Sequence, residues 1–318
     1  DRVDPSDDWS SSMTKIAFMF PGQGSLEAGM GREVAEAVPE AMAVYDEASV
    51  AAAMDLKKLC FESPVEDMVD TEVQQPALVT TCLSLDAALR SRGIRPDVVV
   101  GHSVGEFSAL GAAGTLSVRD AVALVRERGL AMAEAAKQHP GSMAAILGLA
   151  DEAVEALCHK IHNVWPANYN CPGQLVISGE TPSVDEAIDE ATREGARRAI
   201  KLRVSGAFHS PLVARAAERL RPAVEKVHLA ESKAAFMSTV TARIEEAQRY
   251  REGLVDQLTA PVRFTQAARE LIADGVTTFV EVGPGNVLGG LLKRIDKSVR
   301  TFSVSDLKTL DEVTEALG

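Results

Sequence analysis

The segment Val98-Val99-Val100-Gly101-His102-Ser103-Val104-Gly105-Glu106 holds residue types and a spacing that could do chemistry. A β-branched run ends at glycine, a single serine follows, another glycine comes next but one, and Glu106-Phe107-Ser108-Ala109-Leu110 opens a helical pattern. G-x-S-x-G between strand and helix is the arrangement of a nucleophile elbow, a turn so tight that the hydroxyl is pushed out at the top of the sheet. The glycines allow backbone angles that a Cβ would penalise. The helix that follows aims free N–H groups and its positive dipole end at the oxygen the serine attacks. An ordinary tight turn with an idle serine has the same local pattern, so the partners decide.

A serine nucleophile needs a base, normally histidine. Of the 6 histidines, His102 adjoins the serine on the turn, where its side chain should point away. His159 and His162 could pair on a metal but lack further ligands at suitable spacing, and His139 and His228 lie in polar surroundings. His209, within Val204-Ser205-Gly206-Ala207-Phe208-His209-Ser210-Pro211, reads as following a buried strand just before a helix. Sites form at such strand ends in open α/β sheets. His209 is therefore the base or a loop histidine with a structural hydrogen bond. Gln23, between Gly22 and Gly24, is either a polar group delivered at a strand's end or part of a plain loop. Arg126 and Arg128 point to nearly opposite faces of one helix, so at most one can reach a site; Arg126 is expected in solvent.

The elements that must position these groups can be read from the same pattern. Lys15–Phe20 is a short apolar strand broken by Pro21-Gly22-Gln23-Gly24-Ser25, helical patterns run through Gly31–Ala53, and another starts at Pro76 and reaches Arg92. Proline is a good first helical residue. Ser117-Val118-Arg119-Asp120 caps a long helix to about Lys137. From His139-Pro140-Gly141 the pattern changes: strand Met143–Leu149, helix Asp151–Ile161 capped by Asp151, strands Val164–Asn168 and Gln174–Ser178, helix Thr181–Gly195 and strand Arg198–Val204. That β-α-β-β-α-β order is the split βαβ unit of ferredoxin-like folds. The α/β rhythm resumes with helix Pro211–Val227, strand Ala234–Ser238, helices Glu245–Thr259 and Phe264–Asp274, strand Thr277–Val282, a helix to Ile295, strand Thr301–Val304 and a terminal helix. The fold class is thus α/β: a large α/β-hydrolase-like domain with a parallel sheet, residues 13–138 and 206–318, and an inserted ferredoxin-like (α+β) subdomain, residues 139–205. Residues 1–12 read as a disordered leader or cloning remnant ahead of Met13.

Composition narrows the function. The net charge of −13 supplies no broad cationic face for nucleic acid and disfavours an anionic membrane. No apolar run approaches the roughly 20 residues of a membrane span. Cys60, Cys82, Cys158 and Cys171 are scattered, as free thiols in a reducing cytoplasm would be.

Taken together, Phe20-Pro21-Gly22-Gln23-Gly24-Ser25, Gly101-His102-Ser103-Val104-Gly105-Glu106, Arg128-Gly129, Gly206-Ala207-Phe208-His209-Ser210 and Glu281-Val282-Gly283-Pro284-Gly285 resemble the motifs of malonyl-CoA:acyl carrier protein transacylases, in that family's order. Asn168-Tyr169-Asn170-Cys171-Pro172-Gly173-Gln174 and Pro261-Val262-Arg263-Phe264 agree as well, and the resemblance runs from about Lys15 to the end. Val104 and Leu26 depart from the family's usual leucine and glutamine without touching its chemistry.

The resemblance implies malonyl transfer from malonyl-CoA to the phosphopantetheine thiol of acyl carrier protein through a malonyl-serine ester, in fatty-acid biosynthesis, with no bound cofactor or metal. Ser103 would be the nucleophile and His209 its base, oriented by a backbone carbonyl near Gln257. Gln23 and Val104 would give oxyanion N–H groups. Arg128 would receive the malonyl carboxylate bidentately, Phe208 would crowd carbon 2 of the acyl group, and Asn170 would lie among the substrate-binding residues. A monomer is expected. The acidic carrier would need a basic patch, either Lys293-Arg294 with Lys297 and Arg300, or Arg193 with Arg197, Arg198 and Lys201. The rival readings are a discrete acyltransferase serving a polyketide synthase, a serine thioesterase or esterase, and a non-catalytic module that docks carrier proteins. In α/β-hydrolases, however, the histidine usually lies near the chain's end.

Overall fold

Strand β1 (Lys15–Phe20) sends alternate side chains into two apolar layers, and the larger unit is stacked on those two faces. Phe18 and Phe20 enter one layer with Val99 of β2 (Val98–Gly101), while Ala17 and Met19 enter the other with Val98 and Val100. This is the two-residue period of a strand buried on both sides. The computed structural model describes residues 15–204 and 206–318, so the leader expected at 1–12 and Met13 lie outside the described residues.

Along the chain, β1 is followed by α1 (Arg32–Ala37), α2 (Pro39–Ala52), α3 (Leu56–Glu62) and α4 (Thr71–Ser91), then β2, α5 (Gly105–Ala112) and α6 (Val118–Gln138). The middle section contains β3 (Ser142–Leu147), α7 (Asp151–Lys160), β4 (Val164–Cys171), β5 (Gln174–Gly179), α8 (Thr181–Arg193) and β6 (Arg198–Lys201). After it come α9 (Ala214–Lys226), β7 (Ala235–Ser238), β8 (Arg243–Ile244), α10 (Tyr250–Asp256), α11 (Phe264–Ala273), β9 (Val276–Val282), α12 (Val287–Ile295), β10 (Arg300–Val304) and α13 (Leu307–Leu317).

The larger sheet has the order β10-β9-β1-β2-β7-β8 and is parallel except for the short edge strand β8. Side chains of α11 and α12 fill one of its layers, and those of α1 to α6, α9, α10 and α13 the other. The second sheet, β4-β5-β3-β6, is antiparallel throughout. Helices α7 and α8 pack on it through Val154, Leu157, Val184 and Ala187 against Ala144, Ile146 and Ile177. The two sheets are stitched together where Tyr169 N–H donates to Val262 O and Val262 N–H to Ala167 O, both at 2.8 Å.

Several elements differ from the sequence reading, and the differences bear on the site. Helix α4 starts at Thr71, so Pro76 lies inside it. Proline has no N–H to bond the carbonyl four residues back, which leaves Glu72 O free. Arg126 Nη1 donates to that oxygen at 2.6 Å, so Arg126 is a structural donor rather than a solvated cation. Asp151 is the first helical residue of α7, and Ala150 occupies the cap. Tyr169 and Asn170 belong to β4, not to a loop. The strand before His209, β6, ends at Lys201, is largely exposed, and lies at the edge of the antiparallel sheet. His209 is therefore placed by a turn, not by a buried strand of the parallel sheet.

Gly129 lets α6 lie against the first turn of α4. A Cβ there would meet Glu72 Cα at 2.6 Å and Thr71 O at 2.8 Å. Gly129→Ala is expected to destabilise the protein by about 1–3 kcal/mol, the usual range for overpacking. An unchanged urea midpoint would show that the helices do not depend on this approach.

Candidate active site

The chain crosses from β2 to α5 in three residues, and the crossing works only because two of its neighbours are glycine. A Cβ on Gly101 would lie 2.1 Å from Gly105 C, and one on Gly105 would lie 2.2 Å from Phe20 O. Ser103, between them, has φ +55° although it carries a side chain. Such left-handed strain persists only where the surroundings enforce it. The turn raises Ser103 Oγ above the sheet and leaves the residue 8% exposed. Val104 takes the cap position of α5. Among the described residues, neither its N–H nor that of Gln23 has an acceptor within the protein.

His209 also adopts a left-handed backbone, φ +57°, held by its N–H donating to Leu258 O at 3.1 Å. Its ring connects the serine to the segment after α10. Nε2 lies 2.8 Å from Ser103 Oγ, and Nδ1 lies 2.8 Å from Gln257 O and 3.1 Å from Ala260 O. Carbonyl oxygens only accept, so Nδ1 carries the proton and Nε2 presents its lone pair to the serine hydroxyl. Burial first, and then the charges of Arg128 and His102, push the imidazole down to about 3 against the opposing pull of the two carbonyls. It is a neutral base across the physiological range.

Arg128, on α6, is fully buried. Its Nη1 donates to Gln75 Oε1 at 2.8 Å; its Nη2 donates to Gln257 Oε1 at 2.9 Å and to Ser103 Oγ at 3.1 Å. Arg128 Nε has no acceptor among the described residues. Every one of these acceptors is neutral. The nearest compensating charge is Glu106 on α5, one residue further away: Gln257 Nε2 donates to Glu106 Oε2 at 2.8 Å. Glu106 Oε1 accepts from Thr239 N–H at 2.7 Å and Thr239 Oγ1 at 3.0 Å, with Ser238 Oγ at 3.4 Å. Burial drives the Arg128 guanidinium down to about 9 and the Glu106 carboxyl up to about 7. In each case the opposite charge resists the shift.

The remaining residues singled out in the sequence lie around this centre in different ways. Gln23 is exposed, and its Nε2 donates to Thr71 Oγ1 at 2.7 Å, which in turn accepts from Gln75 Nε2 at 3.0 Å. The Gly22–Gly24 loop is thereby linked through Thr71 and Gln75 to Arg128. Asn170 Oδ1 accepts from His102 Nε2 at 2.8 Å, tying the elbow to β4. Phe208 is buried in the larger apolar layer beside His209. Gln75, Thr71 and Thr239 are members of the network that the sequence reading did not select, and Glu106 entered it only as the start of a helix. Buried glutamine and threonine on helices carry no spacing signature. Glu106 offered one signal: a carboxylate in the first turn of a helix otherwise made of buried residues.

Of the two basic clusters, one is largely committed within the chain. Arg193 pairs with Glu190, and Lys201 with Asp185, each at 2.6 Å. In the other, Arg294 donates to Gln174 Oε1 at 2.8 Å, and no carboxylate among the described residues lies within ion-pair distance of Lys293, Lys297 or Arg300. The four cysteines are free and buried, and no described helix is long and apolar enough to cross a membrane.

A serine, a neutral histidine and a buried cation thus lie together at one end of the parallel sheet, and comparison with known proteins gives the class of the whole chain. Residues 17–310 match the acyl transferase domain family. A curated malonyl CoA-acyl carrier protein transacylase of Bacillus subtilis is 44% identical over 310 residues, spanning 96% of this chain and 98% of the relative; one of Staphylococcus aureus is 37% identical over 301 residues, spanning 93% and 97%. The crystal structure of malonyl-CoA:acyl carrier protein transacylase from Xanthomonas oryzae superposes with a TM-score of 0.92 at 38% identity, covering 96% of this chain and 98% of that one. A malonyl-transacylase solved with its type II polyketide synthase acyl-carrier protein superposes with a TM-score of 0.92 at 35% identity, covering 95% and 100%. The chain is an acyltransferase. It belongs to the malonyl CoA-acyl carrier protein transacylase family.

The folded state refuses a proton on His209 that the unfolded chain takes up below its ordinary value of 6.5, so this residue costs stability progressively as pH falls from 6.5 towards about 3. The ring is expected to stay in its neutral Nδ1–H form from about pH 8 down to about pH 5. Imidazole ¹⁵N shifts report this directly, and a transition near the ordinary histidine value would contradict it.

Proposed function

We propose that this chain transfers a malonyl group from malonyl-CoA to the phosphopantetheine thiol of acyl carrier protein, through an ester on Ser103, in fatty-acid biosynthesis. The observation that carries this reading is Arg128, a fully buried guanidinium that contacts only neutral acceptors and donates to the serine oxygen itself. A cation so placed favours an acyl group that ends in an anion, and a planar guanidinium takes a carboxylate bidentately.

Ser103 Oγ attacks the thioester carbonyl while its proton passes to His209 Nε2, which the two carbonyls at Nδ1 keep available. Negative charge on the thioester oxygen is met by the N–H groups of Val104 and Gln23, neither of which has an acceptor within the protein among the described residues. One such donor is typically worth roughly 10²–10³ in rate. The proton on His209 then goes to the departing CoA sulfur. In the second half the carrier's thiol gives its proton to His209 and attacks the ester, and Ser103 is restored; the sequence is ping-pong. Phe208, beside His209, limits the bulk accepted at carbon 2, and Asn170 supports the pocket through His102. The small exposure of Ser103 favours a thiol delivered on an arm over bulk water. The cluster of Lys293, Lys297 and Arg300, free of internal carboxylates among the described residues, is the better surface for an acidic carrier. Because one neighbour was solved with a polyketide synthase carrier, a carrier of that pathway is the second reading.

Incubation with malonyl-CoA should leave one malonyl group on the protein by intact mass, and Ser103→Ala should abolish it, with transfer falling by at least about 10³-fold. An adduct that survives in Ser103→Ala would sink the nucleophile assignment, and an ester released to water as fast as to carrier would favour the hydrolase. Arg128→Ala should reduce malonyl transfer by about 10²–10⁴-fold, the equivalent of losing one partner of a buried ion pair, with acetyl transfer kept or raised. An unchanged malonyl-to-acetyl ratio would remove the carboxylate-receptor role.

A further inference from the structure

We propose that Glu106 is a specificity-determining positioning residue: by accepting from Gln257 Nε2 it fixes which end of the Gln257 amide faces Arg128, and so sets the carboxylate receptor. The inference rests on the reading of Arg128 given above. It follows from the sequence of donors and acceptors in the network. A guanidinium has only donors, so Gln257 must present Oε1 to Arg128 Nη2, as it does at 2.9 Å. The amide's Nε2 is then turned towards Glu106, and Glu106 Oε2 receives it at 2.8 Å. The other carboxylate oxygen is committed on its far side, because Thr239 N–H at 2.7 Å is a backbone donor that cannot turn round.

A carboxylate is the group at 106 that accepts on both sides at once. Glutamine has the same shape but one oxygen. With that oxygen against Thr239 N–H, its amino group meets Gln257 Nε2, donor against donor. If Gln257 flips, its amino group meets Arg128; if residue 106 flips, its amino group meets Thr239 N–H. Each arrangement leaves one pair of buried donors in opposition, and only the flip of Gln257 relieves the contact at 106. The Glu106 main-chain N–H donates to Ser103 O at 3.0 Å, a bond that any residue at 106 keeps, whereas its carboxylate bonds to neither Ser103 nor His209. His209 is oriented by the main-chain oxygens of Gln257 and Ala260, which do not depend on the Gln257 side chain. The disturbance therefore falls on Arg128 more than on the base.

The test compares wild type, Glu106→Gln and Arg128→Ala for transfer from malonyl-CoA and from acetyl-CoA to carrier protein, with circular dichroism to establish folding. Glu106→Gln is expected to lower kcat/KM for malonyl-CoA by about 10- to 100-fold, the usual effect of losing a buried hydrogen bond to a charged group. Acetyl transfer should fall by a smaller factor, so the malonyl-to-acetyl ratio drops. Equal losses on both substrates, or an unchanged ratio, would overturn the proposal. If Arg128→Ala leaves the ratio unchanged, the receptor reading itself fails; if Arg128→Ala shifts it and Glu106→Gln does not, only the role of Glu106 fails. Should Glu106→Gln not fold, Glu106→Asp keeps the charge but is one methylene shorter, so it cannot hold Thr239 N–H at 2.7 Å and Gln257 Nε2 at 2.8 Å together. It is expected to shift the ratio in the same direction by about 3-fold, near the lower end of a hydrogen bond's worth, and a folded variant with the wild-type ratio would overturn the proposal.

Discussion

An arginine side chain with no exposed surface is the constraint around which this site is arranged. A buried cation is costly unless it is hydrogen-bonded and compensated, and its partners come from elements far apart in the chain. Gln75 comes from α4, Ser103 from the elbow, Gln257 from the end of α10, and Glu106, at one remove, from α5. The need to deliver Gln75 explains an oddity of α4. Its first turn continues across Pro76, and the carbonyl that this proline leaves without a donor is taken up by Arg126, two residues from Arg128 on the same helix. One arginine of α6 thus secures the turn that presents an acceptor to the other.

The same charge tunes the base. His209 is held neutral by burial and by the proximity of Arg128, while the carbonyls of Gln257 and Ala260 fix its tautomer. Gln257 serves both groups at once, its main-chain oxygen towards the histidine and its side-chain oxygen towards the arginine. Ser103 and His209 each hold a left-handed backbone with a full side chain. The surrounding frame enforces both: Gly101 and Gly105 pressed between β1 and α5 for the serine, and Leu258 O for the histidine.

Much of the fold was legible in the sequence because its signals are local. The β-branched run Val98–Val100, the glycines of the elbow and the Ser117 cap each specify their own surroundings, and the split βαβ order from Ser142 to Lys201 reads as a repeating alternation of patterns. Boundaries failed where tertiary contacts override local preference. Pro76 signals a helix start, yet the helix begins at Thr71, and the carbonyl that the proline leaves free is taken up by Arg126, fifty residues away; the pattern reads as a strand to Val204, whereas the exposed edge strand β6 ends at Lys201. Among the site residues, motif positions such as Ser103 and His209 could be named, whereas Gln75, Thr71 and Thr239 could not. Their part is fixed by which donor faces which acceptor in three dimensions, and sequence spacing does not encode that.

If Arg128 receives the substrate carboxylate, as proposed, the neutrality of its acceptors has a use. A carboxylate paired directly with the guanidinium would have lowered the cost of burial further, but it would have filled the fork that a substrate carboxylate needs. Amide and hydroxyl oxygens hold the side chain in place without cancelling its charge, and Glu106 compensates from behind Gln257, where it occupies none of the guanidinium's donors. Removing that distant charge would push Arg128 further towards losing its proton, since Glu106 is what resists the downward pull of burial. The site therefore keeps a cation charged, buried and incompletely satisfied, with Nε without an acceptor among the described residues. On the proposed reading, an anionic acyl group supplies contacts that the protein leaves unmade at Arg128, and a neutral one does not.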